Sequence, residues 1–270
     1  MFMSIINLSN KTNHMSRFLN LIYVLCFLLT SCTAIKKDIF MAKNFKTETG
    51  WEIPYNIFYP ESYDKTGNKT PVILWLHGSG ERGDDNIKPL KHVVPYLISK
   101  EIQTNYPAVI IVPQCPADGY WSPVNRFEWT PVKGGEITPA MAGVIQLLDK
   151  ILKDKRIDKS RIYLGGLSMG GFGTYDLLSR RHELFAAAVP ICGGADLGKI
   201  SSYKHIPLWV FHGAKDEVVP VKLSRDVIIM LEKQGIRARY TEYPEGGHDI
   251  WNKAIQEPEL IPWLFSQRKK

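Results

Sequence analysis

A glycine-flanked serine at the end of an apolar segment constrains the fold of this chain more than any other feature. Residues 161–170 read Arg-Ile-Tyr-Leu-Gly-Gly-Leu-Ser-Met-Gly, an apolar strand pattern that ends in G-x-S-x-G. A strand that turns abruptly into a helix holds the serine in a strained conformation, so the residues two positions before and after it must be small. Gly166 and Gly170 meet this requirement. A helix over residues 169–181 would point its free N–H groups at negative charge forming beside Ser168.

Strand and helix patterns alternate along the rest of the chain. Apolar or alternating segments predict strands at 45–48, 51–59, 71–77, 107–113, 161–167, 185–192, 207–211 and 237–243. Helical spacing of apolar residues predicts helices at 87–102, with a kink at Pro95, and at 139–152, 169–181 and 221–234. This alternation predicts an α/β sandwich with a mainly parallel sheet, in which reactive groups lie beyond the carboxyl ends of the strands.

Composition and charge limit the number of domains and the classes of partner. With 44% hydrophobic residues, the chain can bury one sizeable core, and we expect a single folded domain over residues 44–270. The net charge of +7 is spread along the chain, so no nucleic-acid partner is indicated. Cys115 and Cys192 each end a predicted strand, and we expect two buried free thiols, although an exported location would permit a disulfide.

The amino-terminal segment carries a signal for export. Arg17 precedes an apolar run at 21–29, which is long enough for a signal peptide and too short to span a bilayer. Residues 29–32, Leu-Thr-Ser-Cys, resemble the lipobox of bacterial lipoproteins, and this resemblance implies that Cys32 becomes the lipidated first residue; a plain secretory signal with an incidental cysteine is the alternative. We therefore expect an exported lipoprotein, periplasmic or at the cell surface, held to the membrane by its lipid anchor. The expected segments are a signal peptide at 1–31 and a tether at 32–43.

Two further residues would complete a nucleophilic site around Ser168. A serine nucleophile needs a base to take its proton and an acid to orient that base. His248, which follows two glycines after the last predicted strand, is the best of the seven histidines. Asp216 follows the strand at 207–211 and is the expected acid, with Asp196 as the alternative.

Acyl transfer also requires hydrogen-bond donors aimed at the oxygen of the tetrahedral intermediate. The backbone N–H of Met169 is one expected donor, because it begins the helix after the serine. The loop that follows His77 should supply the second, and the N–H of Ser79 is the expected group. Arg82, Asp84 and Asp85 either brace this loop or are solvated charges.

A long aromatic-rich segment at 114–137 lacks a periodic pattern. Loops of this length in a compact domain tend to be functional. We expect it to form one wall of the site, with Trp121 and then Trp129 as the substrate-binding residues. The alternative is that these rings pack the loop onto the core.

Several segments together resemble α/β-hydrolase-fold carboxylesterases of the group often labelled predicted peptidases or prolyl-oligopeptidase-like. This group is related to dienelactone hydrolase and feruloyl esterases. The similar segments are Leu-His-Gly-Ser-Gly-Glu-Arg-Gly-Asp-Asp-Asn at 76–86, Pro-Gln-Cys-Pro at 113–116, the stretch 161–171, Phe-His-Gly-Ala-Lys-Asp at 211–216 and Gly-His at 247–248. The resemblance covers about residues 43–270 and implies that the folded domain is a catalytic domain.

The resemblance implies a serine hydrolase that cleaves carboxylic esters through an acyl-enzyme intermediate, without a metal ion or cofactor. The segment 193–206 is too short for the helical cap domain that many relatives insert there, so the site should admit a small-molecule ester or a glycan-borne ester. An open triad with an oxyanion hole can suffice for an ester, whereas an amide needs further subsites, so we expect an esterase. A serine peptidase of the prolyl-oligopeptidase type and a non-catalytic binding protein on the same fold are the alternatives.

Overall fold

A sheet of eight strands runs through the part of the chain that the computed structural model describes, namely residues 40–65, 67–125 and 127–269. In chain order the strands are β1 (Met41–Lys46), β2 (Glu52–Phe58), β3 (Thr70–Leu76), β4 (Val109–Pro113), β5 (Val124–Asn125), β6 (Thr130–Pro131), β7 (Ile157–Leu167), β8 (Ala187–Ile191), β9 (Trp209–Gly213) and β10 (Arg239–Tyr243). The order in the large sheet is β1-β2-β4-β3-β7-β8-β9-β10, and β5 and β6 form a separate two-stranded ribbon.

Helices lie between the strands, as the alternating pattern predicts. They are α1 (Val94–Leu97), α2 (Lys100–Asn105), α3 (Pro139–Ile151), α4 (Met169–Arg181), α5 (Ile200–Tyr203), α6 (Lys222–Lys233), α7 (Trp251–Ile255) and α8 (Leu260–Ser266). Thr138 caps α3 by accepting a hydrogen bond from the N–H of Met141 at 3.1 Å, and Pro139 occupies its first turn. Between β8 and β9 the chain forms only a 3₁₀ turn and α5, which leaves the carboxyl end of β8 without a cap domain.

The direction of the strands gathers their carboxyl ends at one edge of the sheet. In the large sheet the neighbouring strands β4, β3, β7, β8, β9 and β10 pair in parallel. The pairs β1–β2 and β2–β4 are antiparallel. Every residue of β3 is buried, as expected for an apolar run at the centre of a parallel sheet. The turns after β3, β4, β7, β8, β9 and β10 therefore meet at this edge.

The start of the sheet differs from the prediction made from the sequence. β1 begins at Met41, so residues 41–43, which the sequence assigned to the tether, pair with β2 instead. Their side chains are exposed because β1 is an edge strand, and such a strand lacks the apolar alternation that would have revealed it. Residues 1–39, which hold the predicted signal peptide, Cys32 and most of the tether, lie outside the described residues.

The single helix predicted over residues 87–102 is also wrong. The segment forms a 3₁₀ turn at Lys88–Leu90 and then the two short helices α1 and α2. Pro89 and Pro95, which lack an N–H, each occupy a first helical turn. Lys91 between them is extended, with φ −78° and ψ 175°. Pro95, the expected kink, lies in the first turn of α1 instead, and the apolar spacing did not reveal the break at Lys91.

Two observations concern the cysteines and the membrane. Cys115 and Cys192 are buried free thiols, as expected from the sequence. Burial raises the pKa of the Cys115 thiol to about 12, so it stays protonated at neutral pH. Among the described segments, no helix combines the length and the apolar character needed to cross a bilayer.

Candidate active site

The turn from β7 into α4 holds Ser168 in a strained backbone conformation. Its φ is 53° and its ψ is −119°, values that a residue other than glycine rarely adopts. A Cβ at Gly166 would lie 2.3 Å from the Gly170 carbonyl oxygen, and one at Gly170 would lie 2.0 Å from that of Leu76. The backbones therefore touch where the sequence requires glycine. The N–H of Ser168 donates to the Ile191 carbonyl at 2.9 Å, which ties the turn to β8.

Three side chains from three turns form one chain of hydrogen bonds. His248 Nε2 lies 2.8 Å from Ser168 Oγ, and His248 Nδ1 lies 2.7 Å from Asp216 Oδ2. These distances place a base between a nucleophile and an acid. Ser168 is 5% exposed, so its hydroxyl is nearly enclosed by protein.

The carboxylate of Asp216 is fully buried and fully hydrogen-bonded. Its Oδ1 accepts from the backbone N–H groups of Val218 and Val219 at 2.9 and 2.8 Å. Burial alone would raise its pKa, but hydrogen bonds from His212, His248 and Val219 outweigh burial and hold the pKa of Asp216 well below its usual range. Asp216 therefore stays ionised and can stabilise a positive charge on His248.

The alternative acid, Asp196, has a different role in the structure. Its Oδ1 accepts from the N–H of Gly198 at 3.0 Å, and its Oδ2 accepts from the N–H of Gly134 at 2.7 Å. It caps the 3₁₀ turn at Leu197–Lys199 and anchors the 114–137 loop. Because Asp216 occupies the position beside His248, Asp196 is not the third member of the chain.

The two expected oxyanion donors both begin a helical segment next to the serine. Met169 is the first residue of α4, and Ser79 is the first residue of the 3₁₀ turn at Ser79–Glu81. Within the described residues, neither backbone N–H has an acceptor. A Cβ at Gly78 would lie 3.6 Å from the Ser168 Cβ, so this loop borders the nucleophile. Free donors on both sides suit an anionic oxygen.

Side chains brace the loop after β3. Arg82 Nε donates to the Ser79 carbonyl at 2.9 Å, and its guanidinium lies 4.9 Å from the centroid of the Tyr120 ring. Asp85 Oδ1 accepts from Gln114 Nε2 at 3.1 Å and from two backbone N–H groups. Asp84 is exposed and has no such partner in the described part of the chain. Two of the three charges therefore brace the loop.

Trp121 is not a substrate-binding residue, contrary to the sequence prediction. Its side chain is 0% exposed and belongs to the main hydrophobic core. The indole N–H donates to the His77 carbonyl at 3.0 Å, and a Cβ at Gly173 would lie 2.5 Å from the Trp121 Cβ. The ring anchors its loop against β3 and α4, so it has no surface left for a ligand.

Trp129 remains the predicted aromatic wall of the site. It is partly buried, and its ring centroid lies 6.1 Å from that of Tyr120 and 6.1 Å from that of Phe172. Phe172 stands one turn after Ser168 in α4. The backbone φ of Trp129 is 50°, which shows that the 114–137 loop takes an uncommon conformation at Trp129.

Sequence reasoning missed three residues near His248. The Trp251 ring centroid lies 5.4 Å from that of His248 and 5.3 Å from that of His92. His92 Nε2 lies 3.4 Å from Glu81 Oε1, which belongs to the loop after β3. The three-residue spacing between His248 and Trp251 was the only available signal, because His92 and Glu81 reach the site through tertiary folding. Glu81 and Trp251 therefore link the Ser79 loop to the His248 turn through His92.

One group among the described residues has the spacing of metal ligands. Cys192 Sγ, one His212 nitrogen and one Asp216 oxygen lie within 4.8 Å of one another. His212 Nε2 already pairs with Asp216 Oδ2 at 3.1 Å, and burial raises the pKa of the Cys192 thiol above its usual range. A cation would have to displace the proton on His212 Nε2 and the proton of the Cys192 thiol. The group is therefore explained by hydrogen bonding around Asp216.

Comparisons with known proteins place this site in a family. The family model described as phospholipase/carboxylesterase matches residues 59–259. A mouse (Mus musculus) lysophospholipase-like protein 1 is 26% identical over 215 residues, which are 75% of this chain and 89% of the relative. A probable feruloyl esterase C from Aspergillus niger is 24% identical over 203 residues, covering 74% of this chain and 68% of the relative.

A solved structure extends the likeness to three dimensions. The crystal structure of a thermostable esterase superposes with a TM-score of 0.78 at 38% identity and covers 86% of this chain, and this chain spans 64% of the length of that esterase. The predicted α/β-hydrolase fold and ester-hydrolase class are thereby confirmed. The sequence, the strand-end site and these similarities lead to one assignment: the chain belongs to the phospholipase/carboxylesterase family.

Proposed function

We propose that this protein hydrolyses carboxylic esters at Ser168 through an acyl-enzyme intermediate. The observation that supports this most directly is the continuous chain from Ser168 Oγ to His248 Nε2 at 2.8 Å and from His248 Nδ1 to Asp216 Oδ2 at 2.7 Å. The strained turn places the hydroxyl at the strand-end edge of the sheet beside His248, and the buried carboxylate orients the imidazole. The family and the thermostable esterase support ester bonds as the substrate class.

The proton movements follow from the two nitrogens of His248. Ser168 Oγ attacks the acyl carbon, and its proton passes to His248 Nε2 while Asp216 stabilises the imidazolium. The bond from the acyl carbon to the alcohol oxygen breaks, and His248 gives the proton to the departing alkoxide. Water then attacks the acyl-enzyme, again losing a proton to His248, and the carboxylic acid leaves as that proton returns to Ser168.

The Met169 and Ser79 N–H groups would bind the oxyanion in both tetrahedral intermediates. Each stands at the start of a helical segment, where backbone N–H groups lack intrahelical acceptors. Arg82 fixes the Ser79 carbonyl, so the N–H at this turn is held in place before substrate arrives. Such preorganisation commonly contributes a rate factor on the order of 10²–10³ per donor.

The alcohol part of the ester would lie against Trp251 and His92. His248 Nε2 must reach the alkoxide to protonate it, so the alcohol has to bind on the outer side of the His248 ring. The Trp251 ring contacts the His248 ring at a near-perpendicular angle and also contacts the His92 ring. An indole face with a neighbouring polar imidazole suits a hydroxyl-rich alcohol such as a sugar.

Glycan-borne esters are accordingly the proposed substrates. The segment between β8 and β9 contains no cap domain, so a bulky alcohol can approach the serine. Trp129, next to Phe172, and Trp251, next to His248, offer rings to a sugar or an aromatic acyl group. One relative is named a probable feruloyl esterase, which is consistent with such a substrate.

Matched substrates provide the test. We expect kcat/KM for an ester to exceed that for the amide of the same acyl group by orders of magnitude, because an amine must be protonated as it leaves. Release of acetate or ferulate from decorated polysaccharide should match or exceed the rate on the free methyl ester. Comparable turnover of the amide would contradict the esterase, and turnover of free esters alone would contradict the glycan substrate.

We further propose that the enzyme is exported and anchored to the membrane through lipidated Cys32. The support is the Leu-Thr-Ser-Cys segment at 29–32 behind an apolar run. Acyl chains on Cys32 would hold the catalytic domain at a membrane surface. Intact-mass analysis of the mature protein should show acyl mass on Cys32, and Cys32→Ala should abolish membrane association; a mature chain without acyl mass would contradict the anchor.

A further inference from the structure

A second histidine contacts the carboxylate of Asp216. His212 lies in β9, four residues before Asp216, and its side chain is completely buried. Its Nε2 is 3.1 Å from Asp216 Oδ2 and 3.0 Å from the Val219 carbonyl oxygen. Both neighbours are hydrogen-bond acceptors. Nε2 must therefore carry a proton in either charge state of the imidazole.

The other nitrogen of His212 is anchored to α6. Nδ1 lies 2.7 Å from Ser224 Oγ, which in turn lies 3.2 Å from the Gly193 carbonyl oxygen. In the neutral imidazole with hydrogen on Nε2, Nδ1 accepts the single Ser224 hydroxyl proton, whereas in the imidazolium Nδ1–H donates to Ser224 Oγ and the hydroxyl donates to the Gly193 carbonyl. Ser224 is itself fully buried. The orientation of the ring is thus fixed from both sides.

Asp216 Oδ2 accepts from two imidazoles at once. His248 Nδ1 approaches it at 2.7 Å and His212 Nε2 at 3.1 Å, while Oδ1 is occupied by two backbone N–H groups. The carboxylate therefore cannot rotate without breaking several bonds. A charge shared between two donors also attracts each of them less strongly than a charge facing one donor.

We propose that His212 is a positioning residue that acts through Asp216: its Nε2–H holds Oδ2 in line with His248 and reduces the negative charge that His248 experiences. This role rests on the proposed function, in which His248 is the general base. The structure gives it a physical basis beyond packing, because His212 bonds to the same oxygen that orients the base. Hydrogen bonds from His212 and His248 also counter the effect of burial on the pKa of Asp216, as noted above.

Other ionisable groups around this pair come from neighbouring elements. Cys192 at the end of β8 lies beside Asp216, and its Sγ is 3.5 Å from the His248 carbonyl oxygen. Glu242 in β10 interacts electrostatically with His212, and Asp249 with Cys192. His92 and His248 both contact the Trp251 ring. All of these groups remain present in the variants below, so they do not account for a difference between them.

Substitution of His212 tests the role. His212→Leu removes the donor while retaining most of the volume, and His212→Gln keeps an N–H near the Nε2 position. We expect His212→Leu to lower kcat/KM about 10- to 100-fold per active site, as for one lost hydrogen bond to a charged group, mainly through kcat. Without the donor, Oδ2 faces His248 with more charge and favours its protonated form, so the acid limb of the kcat/KM profile should move to higher pH.

Rescue and control variants separate this role from stability. Rates are normalised to the sites titrated with a serine-directed covalent phosphonate, so unfolded protein does not count. His212→Gln should recover much of the rate and shift the acid limb back, and Ser224→Ala should show a smaller change in the direction of His212→Leu. Val227→Ala in α6 removes a buried side chain without touching Asp216, and should lower the melting temperature while leaving the pH profile unchanged.

Two results would overturn the role of His212. In the first, His212→Leu has the same normalised kcat/KM and the same acid limb as the wild type. In the second, His212→Leu loses rate, but its acid limb does not move and His212→Gln does not restore the rate. Ser168→Ala is assayed in parallel. If Ser168→Ala abolishes turnover while His212→Leu gives either result, only the role of His212 fails; if Ser168→Ala retains full turnover, the proposed function fails as well.

Discussion

The turns that carry Ser168, Asp216 and His248 leave the same edge of the sheet as the 114–137 loop, yet the two are held in opposite ways. The turns are held by backbone contacts: a Cβ at Gly170 would lie 2.0 Å from the Leu76 carbonyl, and one at Gly213 would lie 2.1 Å from that of Gly247. The loop is held by side chains, with Trp121 inserted into the core.

This difference explains which positions the sequence reveals. A backbone contact leaves a mark in the sequence, because only glycine fits there. A side-chain anchor leaves no such mark, because a buried ring and a ligand-binding ring have the same letter. The serine, aspartate and histidine at the strand ends could therefore be predicted from the sequence, whereas the role of each tryptophan could not.

The largest expected effect tests the turns. His248→Ala should lower kcat by roughly 10⁴-fold or more, because the serine loses its base, while thermal unfolding changes little. The exposed His205, whose ring contacts that of His182, provides the matched control. His205→Ala should keep full activity. Steady-state kinetics on an aryl ester measure both variants, and a loss of less than about tenfold in His248→Ala would contradict the general base.

The second prediction contrasts the two tryptophans of the loop. Trp121→Ala should lower the free energy of unfolding by about 3–5 kcal/mol, the usual effect of removing a buried aromatic ring. Trp129→Ala should lower it by only about 1 kcal/mol and should raise KM for bulky esters instead. Urea denaturation and substrate titration separate the two effects. Equal losses of stability in the two variants would contradict the assignment of Trp121 as a core anchor and Trp129 as a wall of the site.

A third prediction tests the backbone contact at the serine turn. Gly170→Ala places a methyl group against a carbonyl oxygen, which cannot move aside as a flexible side chain would. We expect a loss of about 3 kcal/mol or more in the free energy of unfolding. At Gly80 no atom lies within 4 Å of a Cβ, so Gly80→Ala should unfold like the wild type. Equal stability of the two variants would show that the contact is not tight.

The smallest predicted effect concerns His77, which joins the two regions. Its Nε2 accepts from the Cys115 N–H at 3.0 Å, and Trp121 donates to its carbonyl. Burial lowers the pKa of His77 to about 4, so between pH 6.5 and pH 4 the unfolded chain binds more protons than the folded one. Stability therefore falls on acidification through this window, by up to about 3 kcal/mol from this residue.

Comparison with His77→Gln isolates this contribution. Glutamine can accept the same N–H bond but does not titrate, so the acid loss of stability should be smaller by about that amount. Denaturation curves measured between pH 7 and pH 4 provide the slopes. Identical slopes in the two proteins would show that His77 is protonated with an ordinary pKa in the folded state.

The remaining differences between sequence and structure have physical causes of the same kind. The start of β1 at Met41 could not be predicted because an exposed edge strand needs no apolar alternation. The breaks in residues 87–102 depend on prolines whose positions fit first helical turns, and only the fold shows where those turns begin. Trp251 reaches His248 through a short helix, α7, that the sequence did not predict. The sequence therefore predicts local backbone requirements such as glycine at a tight turn, whereas contacts between distant segments depend on tertiary packing.

The central claim, that Ser168 is the nucleophile, is tested most directly by locating a covalent adduct. The wild-type protein is treated with a serine-directed phosphonate and then digested, and the peptides are sequenced by mass spectrometry. The account predicts one adduct on the peptide that contains Ser168, loss of esterase activity in step with labelling, and no adduct in Ser168→Ala. An adduct on another residue, or full activity of the wild type after complete labelling of Ser168, would contradict it.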